Sequence, residues 1–272
     1  MKNNQIINKI KIKNNSYERK FQMSNFSNKF YNNANYQIMK LDRAIYKYGD
    51  NPLQKIKFRK YITSQKKLGL MQPLALKPFC SLAFKHIKEY TGERNVLSFT
   101  IVTGDNFGKD DWNFNYKKLQ SKIKKFLKGY DYIANIALDE FPRTTFEDKG
   151  TLMSMHVHGI FFSELTRYQK SIISAKFKKQ GYCIRPFVTK HYDYCIDALH
   201  YSFKALYGGK YSYCNSAGTK HYIKHTQLSL KSLYFNFTKL KDFHIYDLAF
   251  AGGKGKQVLN IILEEAKQNG SK

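Results

Sequence analysis

Between residues 94 and 210, runs of β-branched and aromatic residues alternate with amphipathic segments, in an order that few folds accommodate. Residues 96–103 predict a strand because they combine both residue types and are followed by the turn signal Gly104-Asp105-Asn106. A helix is predicted next, because apolar residues recur at helical spacing and Gly129 lies just past them. Those residues are Tyr116, Leu119, Ile123, Phe126 and Leu127.

The remaining segments complete a compact pattern. Residues 130–141 and 152–162 predict two strands joined by a polar connection, which indicates an antiparallel hairpin. Residues 165–179 predict a second helix, and residues 182–189 a further short strand. The order β-α-β-β-α-β is that of the ferredoxin-like, RRM-like split motif. We therefore predict an α+β fold with a central antiparallel sheet, both helices on one face, and extensions at the two ends.

The flanking segments give weaker patterns. Residues 1–70 are rich in Lys, Asn, Gln and Tyr and predict a basic, partly disordered extension with short helices over 36–48 and 58–70. A folded domain is predicted over residues 71–245, with its core at 94–210, followed by a tail over 246–272. We also predict a helix over 192–207, a strand over 232–238 and a tail helix over 257–268.

The charge of the chain limits its partners. Its 47 Lys and Arg residues against 20 Asp and Glu residues give a formal net charge of +27, which favours a polyanion such as nucleic acid. No apolar run approaches the roughly 18–20 residues that span a bilayer, and the N-terminus lacks a signal-peptide core. We expect an intracellular protein without a membrane partner. The four cysteines contain no CxxC pair and are expected to be reduced thiols.

Two short motifs carry chemistry. His156 and His158 flank Val157 in the third predicted strand, so both imidazoles face one side and can bind one metal ion. Tyr201 and Lys204 follow in a predicted helix, which places a phenol and an ammonium one turn apart. Alone, the histidine motif is often a surface pair and the tyrosine usually a packing residue. Together, in this order, they favour a DNA-nicking enzyme.

These motifs and their order resemble those of the HUH endonucleases, and specifically the rolling-circle replication initiators, or Rep proteins, of plasmids, phages and small circular DNA viruses. The resemblance covers about residues 96–207. It includes an FTxxT-like first strand at residues 99–103, the His156-Val157-His158 motif and a YxxK motif from Tyr201 to Lys204. In relaxases, the other large branch, the tyrosine usually precedes the histidines. The order in this chain favours the initiators.

The resemblance implies a mechanism and a ligand set. His156 and His158 would hold a divalent metal, Mg²⁺ or Mn²⁺, with a third ligand from the neighbouring strand. Glu140 matches that position best and Asp139 is the second choice, since alternation allows only one of them to face the metal. Tyr201 would form a 5′-phosphotyrosine and release a 3′-hydroxyl, with Lys204 stabilising phenolate or phosphate charge. Tyr194, two turns earlier, is an alternative second nucleophile.

The implied partners are single-stranded DNA at a replication origin and a host helicase and polymerase, in the bacterial cytoplasm or, for a virus of eukaryotes, in the nucleus. A transposase, or a relaxase with unusual motif order, would use the same chemistry. The alternative from another class is a non-catalytic RRM-like nucleic-acid-binding protein, which would need neither a metal nor Tyr201.

Overall fold

The computed structural model describes residues 33–64, 68–142, 151–178, 186–204, 208–214 and 221–270, so the predictions for residues 1–32 lie outside the described part. The helices are α1 (33–48), α2 (Pro52–Ile62), α3 (Leu76–Thr91), α4 (Tyr116–Phe126), α5 (Arg167–Lys178), α6 (Cys195–Ser202), α7 (Leu230–Leu240) and α8 (Gly255–Gly270). The strands are β1 (Arg94–Gly108), β2 (Tyr132–Pro142), β3 (Thr151–Phe161), β4 (Phe187–Tyr194), β5 (Gly208–Cys214), β6 (His221–Gln227) and β7 (Ala249–Gly252).

One sheet contains all seven strands. Its path is β4-β1-β3-β2-β5-β6, and the pairings within β4-β1-β3-β2 are antiparallel. The outer edge of β2 is shared: β7 pairs with its first half, while β5 joins at Glu140. The α+β class is therefore confirmed, and β3 lies inside the sheet with a strand on each side.

Strand alternation divides the side chains of β3 between two surfaces. Met155 and Val157 point to the face that α4 covers, where Met155 and Leu119 of α4 line the same cavity. Helix α5 lies on the same face as α4, where the rings of Phe177 and Phe126 pack edge-on with their centroids 5.0 Å apart. His156 and His158 point to the other surface, which we call the histidine face. Helix α6 lies there and connects to the sheet through a hydrogen bond from Asn135 Nδ2 to the Ser202 carbonyl.

A glycine in β3 makes room for an aromatic ring of β1 beside the histidines. Gly159 pairs with Phe99, and a Cβ atom at Gly159 would lie 2.4 Å from the Phe99 ring and 2.6 Å from the Ile133 carbonyl oxygen. Phe99 also packs 4.5 Å from the ring of Phe161. This aromatic cluster stabilises the middle of the sheet next to His158.

Five sequence predictions are corrected. The helix predicted over 58–70 is α2, which begins at Pro52, because Asn51 caps it there, and ends at Ile62. The strand predicted over 182–189 is β4, which spans Phe187–Tyr194. Residues 232–238 form part of α7 and not a strand, because Leu233, Phe237 and Leu240 are buried at helical spacing and Ser229 caps the helix. The predicted turn at residues 104–106 is a continuation of β1, with an irregularity between Val102 and Asn106. The predicted helix over 192–207 is shorter, since residues 192–194 belong to β4 and α6 ends at Ser202.

The flanking helices pack into the same core. Leu41 and Ile45 of α1 and Ile62 of α2 are fully buried, and Phe58 of α2 packs edge-on against Phe237 at 5.0 Å. At the other end, α8 follows β7, so part of the predicted tail contributes directly to the sheet. Within the described ranges, no helix is both long and apolar enough to cross a membrane.

Candidate active site

Two imidazoles converge on the histidine face. His156 and His158 are 4% and 1% exposed, and their Nε2 atoms lie 2.8 Å apart. The two rings are nearly perpendicular, at 85°. Because β3 is flanked by β1 and β2, the sheet fixes the backbone beneath both residues. The two imidazoles are thus buried side by side on a strand held from both sides.

Side chains of the neighbouring strands face the other nitrogen of each ring. The Oγ1 atom of Thr100, in β1, lies 2.9 Å from His158 Nδ1. The carboxylate of Asp139, in β2, lies 3.4 Å from His156 Nδ1. Contacts of this kind orient a histidine so that its second nitrogen faces a metal, and they fix which nitrogen carries the proton. On the other side of each ring, the two Nε2 atoms lie within hydrogen-bond distance of each other, at 2.8 Å.

The spacing of the imidazoles fits a small divalent cation. Two nitrogens bound at right angles to a cation at about 2.1 Å are separated by about 3 Å, so only a slight opening of the 2.8 Å contact is needed. Among the described residues, no group of three or more His, Cys, Asp or Glu side chains is arranged to hold a metal ion. In this arrangement His156 and His158 would be the two direct ligands, and Asp139 lies 3.4 Å from His156 Nδ1, behind the ring.

The structure reverses the prediction that Glu140, and not Asp139, faces the histidines. Asp139 pairs with Ser154 and shares the histidine face, whereas Glu140 pairs with Met153 and points to the opposite face. There Glu140 accepts hydrogen bonds from Lys109 Nζ at 3.0 Å and from Asn236 Nδ2 at 2.8 Å. All three of these residues are buried. Glu140 therefore lies away from the histidines. Asp139, the second choice for the third ligand, lies beside them.

Tyr201 lies directly beside this pair. Its ring centroid is 4.4 Å from that of His158, while its side chain remains partly open to solvent, at 38% exposure. Burial raises the pKa of the Tyr201 phenol, the charge of Asp139 raises it further, and a hydrogen bond with Thr100 acts in the opposite direction. The phenol is therefore protonated near neutral pH. Thr100 interacts with both the predicted nucleophile and the predicted ligand His158.

Lys204 lies beyond the end of α6 but remains close to the phenol. Its Nζ atom is 4.7 Å from the Tyr201 ring centroid, in a cation–π contact. Tyr194 takes a different place, in β4, with the Arg94 guanidinium 5.5 Å from its ring. Of the other two tyrosines in the segment 192–201, Tyr192 is the one whose ring approaches Tyr201, at 6.0 Å.

Two residues of the site were missed as functional candidates. Burial, with a smaller influence from Tyr201 and Asp197, raises the pKa of Tyr192 to about 12. Lys190 lies on the same face of β4, with Nζ 4.6 Å from the Tyr192 ring. The sequence signal for this pair is its i, i+2 spacing, which places Lys190 and Tyr192 on one face of a strand. The chain turn from β4 into α6 brings them to Tyr201, and no short motif encodes that turn.

Comparisons of the chain with protein-family models, with curated proteins and with solved structures find no match.

Proposed function

We propose that this chain is a rolling-circle replication initiator, a metal-dependent nuclease that nicks and rejoins single-stranded DNA through a covalent tyrosine intermediate. The observation that carries the proposal is the contact of Tyr201 with His158, one of two imidazoles whose Nε2 atoms converge. The succession β1-α4-β2-β3-α5-β4 and the path β4-β1-β3-β2 support a ferredoxin-like sheet of the HUH type.

The chemistry is a transesterification that balances without a second substrate. The Tyr201 oxygen attacks a backbone phosphorus, an O–P bond to tyrosine forms, and the bond from phosphorus to the 3′ oxygen breaks. The phenolic proton passes to solvent or a nearby base, and the leaving oxygen takes up a proton to become a 3′-hydroxyl. A divalent cation held by His156 and His158 would neutralise charge on the phosphate. The reverse attack by a 3′-hydroxyl rejoins the strand.

Three side chains would prepare Tyr201 and the histidines for this step. Thr100 holds the His158 ring through Nδ1 and also hydrogen-bonds with Tyr201. Asp139 holds the His156 ring. The ammonium of Lys204, above the Tyr201 ring, is placed to compensate negative charge as the phenol loses its proton.

The surroundings of Tyr201 suit an anionic strand. Lys190, Arg94 and Lys204 each form a cation–π contact with a tyrosine on or beside the histidine face. Cations interleaved with aromatic rings bind the backbone and the bases of single-stranded nucleic acid. The net charge of +27 further favours association with DNA.

The proposal is tested with a random-sequence pool of 3′-labelled single-stranded DNA, because the strand 3′ of the nick stays attached to tyrosine. Protein incubated with Mn²⁺ should retain label on a denaturing gel, and EDTA should abolish the retained band. His158→Ala should lose the band, whereas His191→Ala, at an exposed position in β4, should keep it. Strand binding without any covalent band would reject the nuclease and support a non-catalytic binding protein.

The role in replication needs a further measurement, because transposases and relaxases use the same transesterification. Adding a DNA polymerase to the nicked product should extend the released 3′-hydroxyl. On circular DNA containing the cleaved sequence, the initiator should support continuous displacement of one strand. Nicking and transfer without such extension would favour a transposase.

A further inference from the structure

A second site lies on the opposite face of the sheet. A cavity of about 180 Å³ opens between α4, the end of β1 and β3. Its apolar floor is formed by Phe107, Leu119 and Met155, and its polar lining by Asn113, Asn115, Lys118 and Lys122. Met155 is next to His156 in the chain, but alternation along β3 directs the two side chains to opposite faces. The cavity is thus separate from the histidine site.

We propose that this cavity binds one nucleotide, with the base on the apolar floor and the phosphate at Lys118 and Lys122. A volume of about 180 Å³ is smaller than the roughly 300–1,000 Å³ typical of pockets that enclose a drug-sized ligand. It accommodates a single ring system and leaves a charged substituent at the rim. A flat, polar-edged ring carrying an anion is what a nucleotide provides.

The rim supplies charge and hydrogen-bond donors suited to this ligand. Lys118 and Lys122 are four residues apart in α4, so both ammonium groups lie on one side of the helix. The Lys118 ammonium forms no hydrogen bond or ion pair with another described residue. No carboxylate is among the described lining residues, and the first turn of α4 contains no acidic residue. The rim therefore favours an anion.

The amides at the cavity mouth add selectivity for a base. Asn115 uses its Oδ1 atom to cap α4, accepting a hydrogen bond from the Lys118 backbone N–H at 3.1 Å. Its Nδ2 group is left as a donor, and the exposed Asn113 offers both a donor and an acceptor. Paired donors and acceptors match the edge of a nucleobase and give no advantage to a bare phosphate.

The single tryptophan of the chain provides a local probe. Trp112 packs edge-on against Phe107, with ring centroids 5.3 Å apart. We would titrate Trp112 fluorescence of the Tyr201→Phe protein in EDTA with deoxyadenosine monophosphate, with a short oligodeoxyadenylate and with inorganic phosphate. These conditions remove metal and nucleophile, so the failure of this site and the failure of the nuclease proposal are distinguishable.

We expect quenching by the mononucleotide, the oligonucleotide or both, and none by phosphate. Quenching by the mononucleotide identifies a free nucleotide as sufficient, whereas quenching by the oligonucleotide alone identifies a nucleotide within a strand. The double variant Lys118→Gln/Lys122→Gln should raise the Kd at least about tenfold, because two charge-assisted contacts are lost. Asn113→Ala should raise it as well, by a smaller factor.

The matched control is Lys117→Gln/Lys128→Gln, which removes the same charge at exposed positions that do not line the cavity. Its Kd should stay within about twofold of the parent, since general attraction to the basic surface changes equally in both variants. Equal weakening in the two double variants, quenching by phosphate alone, or no quenching by any probe would overturn the proposal. Thermal unfolding of each variant verifies that it is folded.

Discussion

At the residue scale, the two neighbouring carboxylates Asp139 and Glu140 perform different tasks because a strand sends consecutive side chains to opposite faces. Asp139 orients His156, and Glu140 pairs with Lys109 and Asn236 inside the opposite layer. Substituting each carboxylate by its amide therefore separates a contribution to metal binding from a contribution to stability.

We predict that Asp139→Asn weakens Mn²⁺ binding by about 10–100-fold, the usual effect of losing a carboxylate behind a metal-bound histidine. Glu140→Gln should leave Mn²⁺ binding nearly unchanged and reduce the free energy of unfolding by about 3–5 kcal/mol, because Lys109 then stays buried without its anionic partner. Calorimetric titration and urea unfolding measure the two effects.

A matched double substitution verifies the second half of this prediction. Lys109→Met in the Glu140→Gln protein removes the unpaired charge and should restore part of the lost stability. Weak Mn²⁺ binding in Glu140→Gln, with normal binding in Asp139→Asn, would show that Glu140 is the metal ligand, as the sequence predicts.

Thr100 provides a second test at this scale. Its hydroxyl contacts His158 and hydrogen-bonds with Tyr201, so Thr100→Val removes both contacts while conserving shape. We predict that covalent adduct formation slows by at least about tenfold in Thr100→Val and is mostly retained in Thr100→Ser. Rates from quenched time courses at saturating Mn²⁺ give the comparison. Equal rates for wild type and Thr100→Val would remove Thr100 from the mechanism.

The site shows what a single sequence can and cannot specify about residues. The His156-Val157-His158 spacing predicts a shared face on any strand, and the structure shows that shared face. Choosing between Asp139 and Glu140 requires the register of β2 against β3, which pairs Asp139 with Ser154. The connection between these strands, residues 143–150, does not encode that register in its composition. The local motif was predictable, and the pairing across strands was not.

At the element scale, α6 carries Tyr201 and contains a pH-sensitive neighbour. Burial, with a smaller contribution from the charge of Lys77, lowers the pKa of His200 to about 4. An unfolded histidine takes up a proton near pH 6.5, whereas folded His200 stays neutral until about pH 4. The unfolded state binds more protons in that window, so the stability from His200 is complete above about pH 6.5 and declines as the pH falls through about 4.

We predict that this difference costs wild type about 2 kcal/mol of unfolding free energy at pH 5 relative to pH 7.5. His200→Gln should show a smaller decline over the same interval, because its amide does not titrate. Urea unfolding at both pH values measures the difference. An identical decline in the two proteins would mean that other groups control the acid sensitivity.

The elements differ in how well local patterns specify them. Strands β2 and β3 and helix α4 were predicted because each combines a clear period with turn or cap residues at its ends. The strand predicted over residues 232–238 was wrong because Leu233, Phe235 and Phe237 also fit strand alternation. Packing of Phe237 against Phe58 stabilises the helix that forms there. Strand β7 has four residues and gains its pairing from β2. In such elements, tertiary contacts outweigh the local sequence preference.

At the scale of the whole molecule, the helices ahead of the sheet belong to the same hydrophobic core as the strands. Leu41, Ile45, Phe58 and Ile62 are in one buried cluster with the sheet residues. We predict that Phe58→Ala lowers the free energy of unfolding by about 3–5 kcal/mol, as for other large core truncations. Leu53→Ala, at an 80% exposed position of α2, should change it by less than about 0.5 kcal/mol.

Denaturant unfolding followed by Trp112 fluorescence and by far-ultraviolet circular dichroism measures both variants. A single shared transition, shifted by Phe58→Ala, would show that α2 unfolds together with the sheet. Two transitions, with only the helical signal affected, would indicate that the leading helices form an independent unit.

Mass spectrometry of the protein–DNA adduct tests whether Tyr201 becomes covalently linked to DNA in a metal-dependent step. Trypsin releases residues 191–204 as one peptide containing Tyr192, Tyr194 and Tyr201, so fragmentation must locate the nucleotide within it. We predict a phosphonucleotide on Tyr201 in Mn²⁺, none in EDTA, and an unchanged yield in Tyr192→Phe. A nucleotide on Tyr192 or Tyr194, or an adduct that forms in EDTA, would refute a metal-dependent role of Tyr201 as the nucleophile.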